Sequence, residues 1–302
     1  MKNEQNRWGT VFITVAVIGI ISSLSSLFIG GTGSSFGGGN VALIPLKGVI
    51  LSETSGSLFS GGEVGADTIV GFIDHAAKDP SIKAIIIDIN SPGGSPVATD
   101  DIANAVKRAN KTTVALIHEV GASGAYWVAS STDHIVANRM SAVGSIGVIS
   151  SYVDFAGFMD KYGLTYNRLV SGKYKDTGIP FRNLTLTEEI LIQQRLDLIH
   201  DIFMEEVAAN REMDKEAVRE LATGEVYLGV EAIANGLIDE LGGQEEAIAY
   251  LEQELNTTVS IVEYHVDSSL LDKISSLMGE QNFRIGQGIG SGIIRDQMLF
   301  RT

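Results

Sequence analysis

The chain has 302 residues, of which 44% are apolar and 20% charged; it contains no cysteine and carries a formal net charge of −15. This composition supports a folded core and excludes disulfide frameworks, thiolate metal sites and cysteine nucleophiles. The acidic balance argues against a nucleic-acid partner, because phosphate binding uses clustered Lys and Arg that this chain lacks.

The N-terminal region predicts a membrane anchor. Residues 8–29 are mostly apolar and uncharged, and a helix of that length, rising ~1.5 Å per residue, can span a bilayer. Lys2 and Arg7 come before it, so the positive-inside rule predicts a cytoplasmic tail over residues 1–7. The chain after the anchor is then expected on the periplasmic or extracellular face of the cell membrane. A cleaved signal peptide is the alternative, although no A-x-A-like cleavage site is present.

The residues after the anchor predict a linker followed by an α/β domain. Residues 30–40 are dominated by Gly and Ser, which is typical of a flexible tether. Strands are predicted over Val41–Ile50, Lys83–Asn90, Thr112–Glu119 and His134–Ala137. Helices are predicted over Val64–Lys78, Ser95–Asn110, Ala122–Ser130, Leu186–Asn210, Lys215–Leu221, Gly229–Asn235 and Gln244–Glu254, the fourth of them long and amphipathic. This alternation predicts a mainly parallel sheet within one domain over residues 41–278, with a tail over residues 279–302.

A serine between a predicted strand and a predicted helix is the first candidate for chemistry. Ser123 lies in the segment 121–127, Gly-Ala-Ser-Gly-Ala-Tyr-Trp, and Lys175 follows 52 residues later. A serine hydroxyl attacks a carbonyl well only when a neighbouring base removes its proton, and a neutral amine can be that base. A lysine base requires that its ordinary pKa, near ~10.4, fall by about three units, and apolar burial supplies such shifts. Lys173 is the alternative base.

Five short segments occur in the order seen in the bacterial signal peptide peptidase A family, in its short, single-repeat form. They are Asn-Ser-Pro-Gly-Gly at 90–94, Ala-Ser-Gly-Ala-Tyr-Trp at 122–127, Val-Gly-Ser-Ile-Gly-Val at 143–148, Tyr-Lys at 174–175 and Gly-Glu-Val-Tyr-Leu-Gly at 224–229. Over residues 41–250 the chain therefore resembles these serine-lysine peptidases. The resemblance implies a Clp/crotonase-like fold of repeated ββα units and a ring or dome-shaped homo-oligomer.

The same resemblance implies a role for individual residues. Position by position, it places the nucleophile at Ser123, the general base at Lys175 and a serine that orients the lysine at Ser145. It also implies an oxyanion hole made of the backbone N–H groups of Gly93, Gly94 and Gly124. The chain departs from the commonest family pattern at Ala125, where a second glycine often follows the nucleophile.

A Ser-His-Asp triad is the rival mechanism. The chain has five histidines, at positions 75, 118, 134, 200 and 265. In Clp-type proteases the histidine lies in the helical region after the nucleophile, and residues 141–160 contain none. Metal chemistry is also disfavoured, because the sequence has no H-E-x-x-H, no close histidine pair and no EF-hand pattern. We predict a site without metal or cofactor.

The resemblance favours a membrane-anchored serine endopeptidase that degrades released signal peptides and other short apolar peptides. Two alternatives belong to other classes. One is a membrane-tethered assembly protein without turnover, but such a protein would be expected to have lost Ser123 or Lys175. The other is a crotonase-like acyl-thioester enzyme that uses the turn at Gly94. Such an enzyme would normally act in the cytoplasm, and the predicted outward orientation argues against it.

Overall fold

The computed structural model describes residues 38–53 and 63–265. The predicted cytoplasmic tail, the anchor over residues 8–29, most of the linker and the predicted C-terminal tail lie outside the described residues. Within the described ranges, none of the helices combines the length and the apolarity that a membrane span requires.

The described part of the chain is organised around a mainly parallel sheet. The strands, in chain order, are β1 (Val41–Lys47), β2 (Val49–Leu51), β3 (Glu63–Gly65), β4 (Ala84–Ser91), β5 (Thr112–Ala122), β6 (His134–Ala137), β7 (Ala142–Gly144), β8 (Val226–Leu228), β9 (Glu240–Leu241) and β10 (Ile261–Glu263). The main sheet has the order β10-β1-β4-β5-β6-β9, with β7 paired to the end of β5 and to β8. The β7 and β8 strands are antiparallel, and the other strand pairs of this sheet are parallel. The predicted mixed α/β fold with a mainly parallel sheet is confirmed.

Helices alternate with the strands as the sequence predicts. They are α1 (Ala66–Lys78), α2 (Pro96–Arg108), α3 (Gly124–Ser130), α4 (Ala156–Tyr162), α5 (Leu186–Asn210), α6 (Lys215–Leu221), α7 (Gly229–Ala234) and α8 (Gln244–Leu255). The sequence does not predict the helix α4 or the strands β3 and β7 to β10. Each of these strands has two or three residues, which is too short for an alternating pattern to show.

The core lies on both faces of the central strands. On one face of β4, Ile85, Ile87 and Ile89 belong to the large apolar cluster that includes α1, α2 and α3. On the other face, Ile86 packs in a smaller cluster with Leu251 of α8. Because both faces are covered, these strands read as continuous apolar runs rather than as alternating ones. Burial of each isoleucine contributes about 1.5–3 kcal/mol.

The long helix α5 has the predicted bounds, and its buried apolar residues lie at one end. They are Phe203, Met204, Val207 and Ala208, all near its C-terminal end. Toward the N-terminal end, Leu186 is 72% exposed and Leu198 is 62% exposed. The apolar residues of this half of α5 are therefore not held against the core of the same chain.

Candidate active site

Ser123 occupies a strained junction between a strand and a helix. It directly follows β5 and precedes α3, with φ 52° and ψ −126°. A non-glycine residue at positive φ costs about 1–3 kcal/mol and persists only where the surrounding structure holds it. The Ser123 N–H donates to the Gly144 carbonyl at 2.8 Å, which ties the junction to β7. Its side chain makes no capping hydrogen bond, so the hydroxyl is not occupied as a helix cap.

A glycine turn lies directly against this junction. Gly93 has φ +92°, and a Cβ built on it would lie 2.6 Å from the Gly124 nitrogen and 3.0 Å from the Ser123 Cβ. A Cβ on Gly94 would lie 2.0 Å from the Ile50 carbonyl oxygen. Side chains are therefore excluded at both positions, and the backbone of the turn packs close to the nucleophile candidate.

The turn and the start of α3 each offer one amide for an oxyanion. The Gly93 N–H already donates to Ser91 Oγ at 3.1 Å, so its role as an oxyanion donor stays a prediction. Gly124 is the first residue of α3, and its N–H has no intrahelical acceptor. A Cβ on Gly124 would lie 3.4 Å from the Gly94 nitrogen, so the amides of Gly94 and Gly124 are neighbours. The φ of +92° at Gly93 sets the backbone conformation of the turn.

Ser145 reaches the same region from the antiparallel pair. It follows β7 at φ 49°, and its N–H donates to the Glu225 carbonyl at 2.8 Å. Its hydroxyl donates to the Gly224 carbonyl at 3.2 Å. The hydroxyl oxygen therefore still has lone pairs with which it can accept a hydrogen bond.

These residues line one cavity of about 470 Å³. The lining includes Ser123, Ser145, Gly94 and Gly124, together with apolar residues of α3 and α5. Trp127 and Phe203 stack in its wall with ring centroids 5.0 Å apart. Among the described residues, three buried side-chain polar atoms have no hydrogen-bond partner, and all three belong to residues that line this cavity: Thr99 Oγ1, Trp127 Nε1 and His200 Nε2. Buried polar atoms are usually paired, so these three mark a place for a polar ligand or water.

Lys175 lies outside this cavity. It is an exposed residue of the turn-rich stretch 171–178, and it is absent from the cavity lining. Its amine makes no hydrogen bond or ion pair with the part of the chain that the structure describes. The rival Lys173 is also exposed, with its amine 4.9 Å from the centre of the Tyr174 ring. The structure therefore brings Ser123, Ser145 and the oxyanion amides together within one chain but does not bring the predicted base to them.

His200 also lines the cavity, although no sequence motif assigns it to the site. This residue lies on α5, one helical turn before Phe203, and both side chains line the cavity with Ser123. Only the i, i+3 spacing on a helix connects it to the site, and that spacing carries no chemical signature. No carboxylate among the described residues binds His200, so the oriented Ser-His-Asp arrangement is not formed.

Comparison with known proteins identifies the family. The family model described as "Peptidase family S49" matches residues 105–258. A candidate protease of Methanocaldococcus jannaschii is 32% identical over 286 residues, covering 93% of this chain and 90% of the relative. The chain belongs to peptidase family S49. The S49 match includes Ser123, Ser145 and Lys175, while the turn at Gly94 precedes it.

Other relatives narrow the type of S49 peptidase. A candidate signal peptide peptidase SppA of Enterococcus faecium is 31% identical over 76% of this chain and 68% of its own length. The chloroplastic serine protease SPPA of Arabidopsis thaliana is 32% identical over 87% of this chain and 38% of its own length. The chain is thus a serine peptidase of the signal peptide peptidase A type, and the acyl-thioester alternative is rejected.

The geometry predicts the effect of a single added methyl group in this S49 peptidase. In a Gly124→Ala variant, the new Cβ would lie 2.3 Å from Oγ1 of the buried Thr99, so the Thr99 side chain or the start of α3 must shift. Displacing one oxyanion donor is expected to lower kcat about 100-fold. Gly71→Ala in α1 is the matched control, because a Cβ there meets nothing within 4 Å. Steady-state peptide cleavage measures both, and unchanged kcat in Gly124→Ala would contradict the donor role.

Proposed function

We propose that this S49 peptidase is a membrane-anchored endopeptidase that uses a Ser123–Lys175 dyad to degrade released signal peptides and other short apolar peptides. The observation that carries the proposal is the strained Ser123 beside two neighbouring amides in one cavity. Such a junction presents a serine hydroxyl to a carbonyl while backbone N–H groups face the developing oxyanion. The Clp/crotonase-like arrangement of ββα units is part of the same proposal.

The base is proposed to come from a second copy of the chain. Lys175 is exposed and lies outside the cavity of its own chain. The surrounding stretch, residues 149–202, exposes many large apolar side chains; Ile149 is 90% exposed and Leu169 is 95% exposed. Exposed apolar surface of this extent is typical of a protein-protein interface. A homo-oligomer that covers this stretch would bring Lys175 of one subunit to Ser123 of the next.

The reaction then follows from the residues at that junction. Ser123 Oγ bonds to the substrate carbonyl carbon while its proton passes to the neutral Lys175 amine. The oxyanion accepts hydrogen bonds from the Gly94 and Gly124 amides, and Ser145 Oγ accepts one from the lysine. The C–N bond breaks as the ammonium returns the proton to the leaving nitrogen. Water, deprotonated by the same amine, hydrolyses the acyl-enzyme.

The substrate class is proposed from the cavity wall and from the relatives. Trp127, Phe203 and Ile199 give the cavity an apolar wall, which suits apolar peptide side chains. The name of the Enterococcus faecium relative points to signal peptides, which are apolar and remain in the membrane after processing. An anchor over residues 8–29 would hold the active site where these peptides are released.

Removal of the anchor tests this setting. Deleting residues 2–29 is expected to slow cleavage of a signal peptide embedded in lipid vesicles more than about tenfold, because tethering raises the local enzyme concentration. Cleavage of a soluble fluorogenic peptide by the same variant is expected to change less than about twofold. Equal effects on both substrates, or no effect on either, would contradict the role of the anchor.

A further inference from the structure

The residue that follows Lys175 is a carboxylate whose oxygen atoms are all occupied. Asp176 Oδ2 accepts from Arg168 Nε at 2.6 Å and from Arg182 Nε at 3.0 Å. Its Oδ1 accepts from Arg168 Nη2 at 2.8 Å and from Arg182 Nη2 at 3.1 Å. An ionised carboxylate has about four acceptor positions, so four N–H donors saturate it. The side chain is only 7% exposed, whereas Lys175 beside it is exposed.

The same arginine connects Asp176 to the start of α5. Arg182 donates from Nη2 to Glu188 Oε1 at 2.6 Å and from Nη1 to Oε2 at 2.9 Å. Glu188 also accepts from Thr177 Oγ1 at 2.9 Å, and it forms the capping box of α5 with Thr185. The loop that carries Lys175 is therefore tied on its C-terminal side to the first turn of α5.

A second set of contacts shapes the loop itself. Arg168 Nη2 donates to the Lys173 carbonyl at 3.0 Å, and the Lys175 N–H donates to the Gly172 carbonyl at 3.2 Å. Hydrogen bonds from Arg168, and then from Arg182, hold the pKa of Asp176 below its usual range. We call Arg168, Asp176, Arg182 and Glu188 the arginine–carboxylate network. Its two positive and two negative charges cancel.

This arrangement matters because the Asp176 carboxylate directly follows Lys175 in the chain. An unpaired carboxylate next to an amine favours the charged ammonium, which cannot act as a base. Two arginines without a carboxylate would have the opposite effect, because like charges favour the neutral amine. In the arginine–carboxylate network the Asp176 carboxylate is paired and both arginines have an anion, so neither effect acts on the Lys175 amine. The other charged group on the same loop, Lys173, lies against the Tyr174 ring.

We propose that Arg168 and Arg182 are positioning residues for catalysis. By saturating Asp176 they fix the loop that carries Lys175 and withhold the adjacent carboxylate from its amine. The inference rests on the proposed role of Lys175 as the base. Neither arginine touches the substrate; they act through Asp176 and the loop.

Two variants of the full-length protein are expected to move the pH–activity profile in opposite directions. Arg168→Gln removes two donors to Asp176 while leaving the pairing of Arg182 with Glu188 in place. A lysine base is expected to make kcat rise with pH as its amine loses a proton. Arg168→Gln partly frees the carboxylate, so this rise is expected about half a pH unit higher. Asp176→Asn leaves the arginines without their anion, so the rise is expected about half a unit lower. Arg219→Gln, at an exposed ion pair on α6, is the control with no shift.

The combination of the two changes separates positioning from a purely structural role. In the Arg168→Gln/Asp176→Asn double variant no Asp176 carboxylate is left unpaired. The pH–activity profile is therefore expected to return toward that of the wild-type protein. A structural role predicts lower kcat with an unmoved profile, and the lowest kcat in the double variant. Unmoved profiles in both single variants, with Lys175 essential, would overturn the inference. Full activity of Lys175→Ala would instead overturn the proposed dyad. Circular dichroism and the oligomer mass check that each variant folds and assembles.

Discussion

Replacing Ser123 with alanine is expected to abolish peptide cleavage, lowering kcat about 10⁴-fold or more, because the hydroxyl is the attacking group. The fold is expected to persist. Alanine meets the same backbone strain as serine at φ 52°, and the lost hydroxyl makes no capping hydrogen bond. Cleavage of a fluorogenic signal-peptide-derived substrate, with thermal unfolding measured alongside, checks both statements.

A second serine provides the control for this variant. Ser81 binds only Asp79 through its hydroxyl and does not line the cavity, so Ser81→Ala is expected to retain activity. A fluorophosphonate that reacts with activated serines is expected to label the wild-type protein at Ser123. Substantial cleavage by a folded Ser123→Ala variant, or labelling at another serine, would refute the assignment of the nucleophile.

The sequence predicts the buried parts of this fold well because their chemistry is repetitive. The β4 strand is a continuous apolar run, which is what a strand covered on both faces requires. The helix α5 shows the limit of this reasoning. Its boundaries were predicted correctly, but a sequence does not state which apolar residues find a partner within the same chain. Leu186 and Leu198, both on this predicted amphipathic helix, are exposed.

Part of the candidate site could likewise be predicted from the sequence, and part could not. The motifs located the glycine turn and Ser123, because tight backbone packing leaves a glycine signature that survives in the sequence. They could not distinguish Gly93 from Gly94, because only the fold shows that Ser91 Oγ occupies the first amide. His200 carried no motif at all, since its presence in the cavity depends on the register of α5. The motif predicts that Lys175 is the base, but which groups surround its amine depends on the proposed assembly of subunits.

Mixing two inactive variants is expected to restore activity. Lys175→Ala, like Ser123→Ala, is expected to lower kcat about 10⁴-fold, because the hydroxyl loses its base. If each site takes its serine from one subunit and its lysine from the next, random co-assembly of equal amounts gives about one quarter intact sites. Co-expression of the two variants, followed by purification of the mixed oligomer, is therefore expected to recover about a quarter of wild-type activity.

The neighbouring lysine makes this experiment specific. Lys173→Ala removes another exposed amine two residues away, and this variant is expected to be active alone. Mixed with Ser123→Ala, it is expected to show no more activity than its own intact Ser123 residues supply. Mixed oligomers that stay inactive, although Lys175→Ala alone is inactive, would place both members of the dyad in one subunit and require a movement of the 149–202 stretch. A strictly monomeric wild-type protein with full activity would exclude the shared site. Activity returns in the mixture only if Lys175, which is exposed in the single chain, reaches the Ser123 cavity of a neighbouring subunit.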